Sequence, residues 1–161
     1  MSGTAGAVVS LRPAGPAGDI EFMLAQSPRL AAGIEPRSHS AEQIAAFQAR
    51  FTQETLERAT TETLTLMALL DGERAGFVHV QRALDEISGE ACAYVALLVV
   101  IAAAEGRGIA ARLMAEAEAW AAGQGLGRLS LDVFDSNGHA RGFYDRLGFK
   151  ADTIRMVKRI G

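Results

Sequence analysis

Residues 98–113 read LVVIAAAEGRGIAARL, and this stretch joins a strand, a glycine loop and a helix. The run 91–101 is almost wholly apolar and is rich in β-branched residues in its second half, which predicts a central strand covered on both faces. Gly106 and Gly108 follow this run a few residues later, and apolar residues then recur at helical spacing over about 108–122. A buried strand therefore leads into a loop that opens a helix.

The backbone of this loop is suited to binding an anion. Glycines let the main chain approach a ligand closely, and the first N–H groups of a helix have no partners within it. Those groups lie at the positive end of the helix dipole, so residues 106–111 predict a pyrophosphate site. A plain tight turn would give the same local pattern, and that interpretation stays open.

The other elements follow from turn and capping signals. Asp19 is predicted to cap a short helix over 19–26, and Ser40 with Gln43 forms a capping-box pattern for a helix to about residue 59. Residues 27–39 are predicted to be irregular. An Asp71-Gly72 turn predicts a hairpin. The predicted strands are 8–12, 63–70, 76–82, 91–101, 128–134 and 153–159, with a last helix over 139–147.

The order of elements is β-α-α-β-β-β-α-β-α-β, which predicts an α/β sheet with helices on both faces. We expect one domain over residues 8–161 after a flexible tail at residues 1–7. The formal net charge of −3 argues against a nucleic-acid surface. No transmembrane or signal segment is expected, and the lone Cys92 suits a reducing cytoplasm.

A second informative stretch is NGHARGFYDRLGF at residues 137–149. Together with the loop, it resembles the GNAT superfamily of N-acetyltransferases. Residues 105–110 are similar to that family's Q/R-x-x-G-x-G/A loop, and residues 137–149 to its N-x-x-A-x-x-F-Y-x-x-x-G-F helix. These motifs cover roughly the C-terminal half of the chain, and the remainder is similar only in the order of its elements.

The resemblance implies a mixed, largely antiparallel sheet and transfer of an acetyl group from acetyl-coenzyme A to an amine, with no metal. Backbone groups of Leu98, Val99 and Val100 would then pair with the pantetheine arm. The cofactor would also be held by Asn137 and, at its pyrophosphate, by the N–H groups of Gly106, Arg107, Gly108, Ile109, Ala110 and Ala111. Tyr144 would be the general acid at the departing sulfur. Glu105 departs from the family pattern, because Gln or Arg usually stands there.

Simpler interpretations stand beside these roles. Tyr144 could be a packing residue beside Phe143, and Asn137 an ordinary helix cap. The side chains of Arg107, Arg112 and Arg141 could reach phosphates or lie on a solvated face.

Two alternative functions stay open. One is a catalytically silent acyl-coenzyme A-binding module on the same fold. The other follows from Gly106 to Ala111, which also match the dinucleotide fingerprint G-x-G-x-x-A, with Asp132 or Asp135 as the ribose-binding acid. That fingerprint normally lies in the first βαβ unit, whereas antiparallel hairpin strands precede it here.

The acceptor amine and the general base are not named by the sequence. Residues 94–97 of the central strand contain no acid. The candidates for the base are His79, Glu35, His39 and Glu90, although a plain surface residue is the favoured interpretation of each. We expect a small-molecule or peptide amine as substrate, and neither nucleic acid nor membrane as partner. The resemblance also admits a homodimer.

Overall fold

The computed structural model describes residues 6–161, and these form a five-stranded sheet whose strands lie side by side in chain order. The first four strands pair with one another in antiparallel fashion, and the fifth strand pairs with the fourth in parallel. The predicted mixed, largely antiparallel sheet is confirmed. The strands are β1 Val9–Pro13, β2 Leu64–Leu70, β3 Glu73–Leu84, β4 Ala91–Val100 and β5 Leu129–Ser130.

Helices cover both faces of the sheet, as predicted. They are α1 Asp19–Ala25, α2 Ser27–Ala31, α3 Ala41–Glu57, α4 Ile109–Gly123 and α5 Gly138–Arg146. The apolar side of α4, including Leu113 and Ala117, packs with Val78 and Val95 on one face. On the opposite face, Met23 of α1 and Leu56 of α3 pack with residues such as Phe77. None of the helices in residues 6–161 is both long and apolar enough to span a membrane.

Local signals account for the best-predicted boundaries. Asp71 and Gly72 both have positive φ, 52° and 85°, as a tight two-residue hairpin turn requires. The Ser40 side chain accepts from the Gln43 backbone N–H, and the Gln43 side chain accepts from that of Ser40, so the predicted capping box is present.

The central strand β4 contains the feature that positions the site. Leu97 pairs with His79 and Val95 with Val80, so Ala96 is an extra residue in β4 and forms a bulge. On its other edge, β4 pairs with β5 only at Ala93 and Tyr94. From residue 95 onward, that edge of β4 has no strand partner within the described part of the chain.

Two predictions near the N-terminus are wrong. Residues 27–31 form α2 rather than an irregular segment, because Pro28 lies in the first turn, where its missing N–H costs nothing. Gly18, not Asp19, is the cap of α1. The Asp19 carboxylate, whose residue is 2% exposed, instead accepts from the guanidinium groups of Arg12 and Arg74 and from Gly15 N–H.

The predictions for the C-terminal strands also need correction. The predicted strand 128–134 shortens to Leu129–Ser130, and residues 153–159 form no strand. A strand's N–H and C=O groups need a partner, and β5, whose two residues pair with β4, has no strand on its other side within the described residues. Ile154 and Met156 are accordingly exposed. Residues 1–5 of the predicted tail lie outside the described residues.

Candidate active site

The glycine loop presents an open helix N-terminus. Gly106 and Gly108 have φ of 74° and 73°, and no protein atom lies within 4 Å of where a Cβ on either would be. Gly108 caps α4 without any side-chain hydrogen bond to its first turn, whereas side chains cap α3 and α5. The N–H groups at the start of this 15-residue helix are therefore free for an anion.

The carboxylate of Glu105 is paired with a cation from another element. Arg29 of α2 forms an ion pair with Glu105, and its Nη2 also donates to the Val100 carbonyl at 3.3 Å. The pair joins α2 to the end of β4 and to the glycine loop. The one residue that departs from the family pattern is thus compensated by a cation 76 positions away in sequence.

The free edge of β4 leads directly to this loop. Leu98 to Val100 lie beyond the bulge, on the part of the strand that β5 does not cover. A ligand lying along this edge would have its anionic end at the start of α4, because the loop follows β4 immediately. The predicted pantetheine-binding and pyrophosphate-binding residues are therefore contiguous in space.

Helix α5 brings the second predicted motif beside the same region. The Asn137 side-chain oxygen accepts from Ala140 N–H at 3.2 Å, so Asn137 is a helix cap and only its amide nitrogen remains to donate elsewhere. The Tyr144 ring packs edge-on against Phe143 and Phe149, at centroid distances of 5.2 and 5.7 Å. Burial raises the pKa of Tyr144 to about 12, so its hydroxyl is protonated at neutral pH.

The loop between α2 and α3 closes against the residues before α5. Glu35 N–H donates to Ser136 Oγ at 3.1 Å, and Arg37 forms an ion pair with Asp135. Gly33 lies against the Asn137 side chain, with positive φ. These contacts hold the α2–α3 loop against the N-terminus of α5.

Several predicted charged residues have other partners. Arg112 donates to the Val9 carbonyl at 2.8 Å, and Arg141 is paired with Asp135. Among the candidates for the base, His79 is fully buried, and its Nδ1 lies 2.7 Å from Thr65 Oγ1. It is therefore not a surface residue, and burial lowers its pKa. Glu90 is paired with Arg128.

One hydrogen-bonded pair of side chains was not predicted from the sequence. Tyr94 OH donates to Asp132 Oδ2 at 2.9 Å, across the point where β4 and β5 separate. Both residues line a cavity of about 240 Å³, together with Ser130. Ser130 and Asp132 are two residues apart, and this spacing along the predicted strand 128–134 is the sequence signal that they share a face.

Residues 29–149 match the model of the Acetyltransferase (GNAT) family. The chain belongs to this family. It is accordingly an acetyl-CoA-dependent N-acetyltransferase, and the dinucleotide-binding alternative is wrong. A search among curated proteins finds no significant match.

Solved structures show the same fold. A proposed acetyl transferase from Pyrococcus furiosus has a TM-score of 0.76 at 23% identity, and covers 95% of this chain and 100% of its own. A GCN5-related N-acetyltransferase from Ralstonia eutropha JMP134 has a TM-score of 0.72 at 21% identity, and the match covers 95% of this chain and 99% of that protein. The aminoglycoside acetyltransferase AAC(6')-Iy has a TM-score of 0.65 at 18% identity, and the match covers 95% of this chain and 99% of that protein. It was solved with a bisubstrate analogue that contains coenzyme A.

Residues 6–161 contain no group of three or more His, Cys, Asp or Glu side chains that could hold a metal ion.

Proposed function

We propose that this enzyme transfers the acetyl group of acetyl-coenzyme A to a primary amine by direct attack on the thioester. The observation that carries the proposal is the free edge of β4. This edge leads into the N-terminus of α4, which no side chain caps. Acetyl-coenzyme A has a peptide-like arm and a pyrophosphate, and it supplies an activated acyl group when bound. The chain offers a strand edge to the first and free N–H groups to the second.

The roles of the individual residues follow from these positions. Backbone groups of Leu98 and Val100 bind the arm, whereas those of Val99 face β3, as those of Ile101 do. The N–H groups of residues 106–111 bind the pyrophosphate. The amide nitrogen of Asn137 donates to the cofactor, since its oxygen already caps α5. The buried Cys92, the one cysteine of the chain, supports a reducing, cytoplasmic location. A homodimer is an expectation from the family.

The acceptor is an amine that enters between the α2–α3 loop and the cavity at Tyr94. The relative AAC(6')-Iy was solved with an acetylneamine analogue, so aminoglycosides belong among the amines tested. The test is release of free thiol from acetyl-coenzyme A with kanamycin, spermidine, a lysine peptide and a peptide with a free N-terminus. Turnover of at least one amine supports the proposal. Coenzyme A binding without turnover of any would favour a silent binding module instead.

Tyr144→Phe is expected to lower kcat at least about tenfold, which is less than the roughly 10²–10⁴-fold typical of general acid–base catalysis. The hydroxyl is protonated at neutral pH, but its pKa near 12 makes it a weak donor to a thiolate whose reference pKa is near 8.5. The ring contacts to Phe143 and Phe149 remain in the variant, so coenzyme A affinity should barely change. Steady-state kinetics and calorimetry check both expectations. Full activity with an acceptor whose chemical step limits the rate would refute the acid role.

The ion pair of Arg29 and Glu105 predicts that a single substitution weakens cofactor binding and that a double substitution restores it. Arg29→Met leaves the Glu105 carboxylate uncompensated beside the loop, so coenzyme A should bind about two- to fivefold more weakly, the scale of an exposed ion pair. The double variant Arg29→Met/Glu105→Gln should restore the affinity, because both charges are gone. Calorimetry at two salt concentrations measures this, with Glu118→Gln on the exposed side of α4 as control. A double variant as weak as Arg29→Met would contradict compensation.

A further inference from the structure

The reaction needs a group that removes a proton from the acceptor. A lysine-like amine has a reference pKa near 10.4, so only about one molecule in 2,500 is neutral at pH 7. His79 is buried, and Glu90 is paired with Arg128. Glu35 and His39 lie on the exposed α2–α3 loop. None of these four residues lines the cavity at the separation of β4 and β5, whereas Asp132 does.

Asp132 lies where the acyl group would end. The arm of the cofactor, as proposed above, lies along the edge of β4 at Leu98 to Val100. Continuing toward the bulge at Ala96, that edge ends at Tyr94, where β5 begins to pair. Asp132 follows β5 by two residues, and its carboxylate is hydrogen-bonded to Tyr94 at this point.

The contact with Tyr94 leaves a carboxylate oxygen for the substrate. Tyr94 OH reaches only Oδ2, at 2.9 Å. Asp132 is exposed and lines the open cavity, so an incoming ammonium group can reach it. Burial and the neighbouring carboxylate raise the pKa of Tyr94, which therefore keeps its proton and acts as a donor. Tyr94 thus orients the carboxylate.

We propose that Asp132 is the general base for the acceptor amine and that Tyr94 is its positioning residue. This inference rests on the proposed function. The ammonium group gives one proton to Asp132, and its freed electron pair forms the C–N bond to the acetyl carbonyl carbon. The C–S bond then breaks with its electron pair on sulfur, which takes a proton from Tyr144. Tyr144 recovers a proton from the nitrogen, Asp132 releases its own to solvent, and the products are the amide and the free thiol.

Asp132→Asn is expected to lower kcat/KM on the order of 100-fold at pH 7 with the best acceptor of the panel, while coenzyme A affinity is unchanged. The variant can use only amine that is already neutral in solution. Its kcat/KM should therefore rise about tenfold per pH unit between pH 6.5 and 8.5, more steeply than in the wild type. Tyr94→Phe should lose about two- to tenfold, the contribution of one hydrogen bond.

Asp152→Asn is the matched control. Asp152 lines the same cavity, as do the titratable Asp85, Glu86 and Cys92, but it has no bond to Tyr94. Its substitution should change kcat/KM by no more than about twofold and leave the pH profile unaltered.

A second measurement needs neither cofactor nor turnover. The chain has two tyrosines, so the Tyr144→Phe variant reports Tyr94 alone in an ultraviolet titration. Adding Asp132→Asn should lower the pKa of Tyr94, because the neighbouring negative charge is removed.

An active wild type with an Asp132→Asn variant of unchanged rate and pH profile would overturn this inference and leave the proposed function standing. An unchanged Tyr94 titration would overturn the positioning contact. A wild type that acetylates none of the amines would overturn both the proposed function and this inference.

Discussion

Gly108→Val is expected to weaken coenzyme A binding about 100-fold, the equivalent of one strong hydrogen bond to a charged group. No atom of a non-adjacent residue lies within 4 Å of the added Cβ, so the side chain would enter the open space beside the first turn of α4, where the pyrophosphate site is proposed. The positive φ of 73° also strains any β-branched residue, which shifts the N–H groups that face the ligand. Calorimetry with coenzyme A measures the loss.

Gly125→Val provides a matched control at the other end of the same helix. Gly125 has φ of 71° and is equally free of neighbours, so valine there carries the same backbone cost. Both variants should melt at a similarly lowered temperature, and only Gly108→Val should lose cofactor affinity. Equal affinities in the two variants would contradict a pyrophosphate site at this loop.

Asp19→Ala is expected to destabilise the protein by about 3 kcal/mol, because it leaves two guanidinium groups without their shared carboxylate. That carboxylate links β1, α1 and β3 through Arg12 and Arg74. Urea unfolding at pH 7 measures the loss. Glu21→Ala, on the same helix but exposed, should cost far less.

The same residue predicts a dependence of stability on pH. The hydrogen bonds from Arg12 hold the pKa of Asp19 well below its usual value near 3.9. A carboxylate with a lowered native pKa stabilises the fold above the unfolded-state pKa, and this contribution is lost as the pH falls toward the native value. Between about pH 4 and pH 2, the wild type should therefore lose more stability than Asp19→Asn. Parallel acid curves for the two proteins would contradict this.

The sequence predicted features that depend on neighbours a few residues apart. The capping box of Ser40 and Gln43 and the turn at Asp71-Gly72 were confirmed because each is complete within four residues. The glycine loop and the helix after it were found where expected, because the glycines and the helical spacing of apolar residues are also local features. Helix α2 was not predicted, although Pro28 fits the first turn of a helix.

Predictions that depended on a distant partner failed or were absent. The predicted strand at 153–159 does not form, because no neighbouring strand pairs with it. Asp19 fits a helix cap in sequence, yet its carboxylate is taken by Arg74, 55 residues away. No local pattern distinguishes these outcomes, because ion pairs and strand pairing depend on which segments the fold brings together.

The sequence by itself therefore determined the family, the sheet with helices on both faces, and the loop that bears the free N–H groups. These rest on short-range spacing, which the local geometry of helices and turns preserves. Only the tertiary structure decided that Arg29 compensates Glu105 and that Tyr94 meets Asp132. The physical reason is that these partners lie 76 and 38 positions apart and meet only when the sheet assembles and β4 separates from β5.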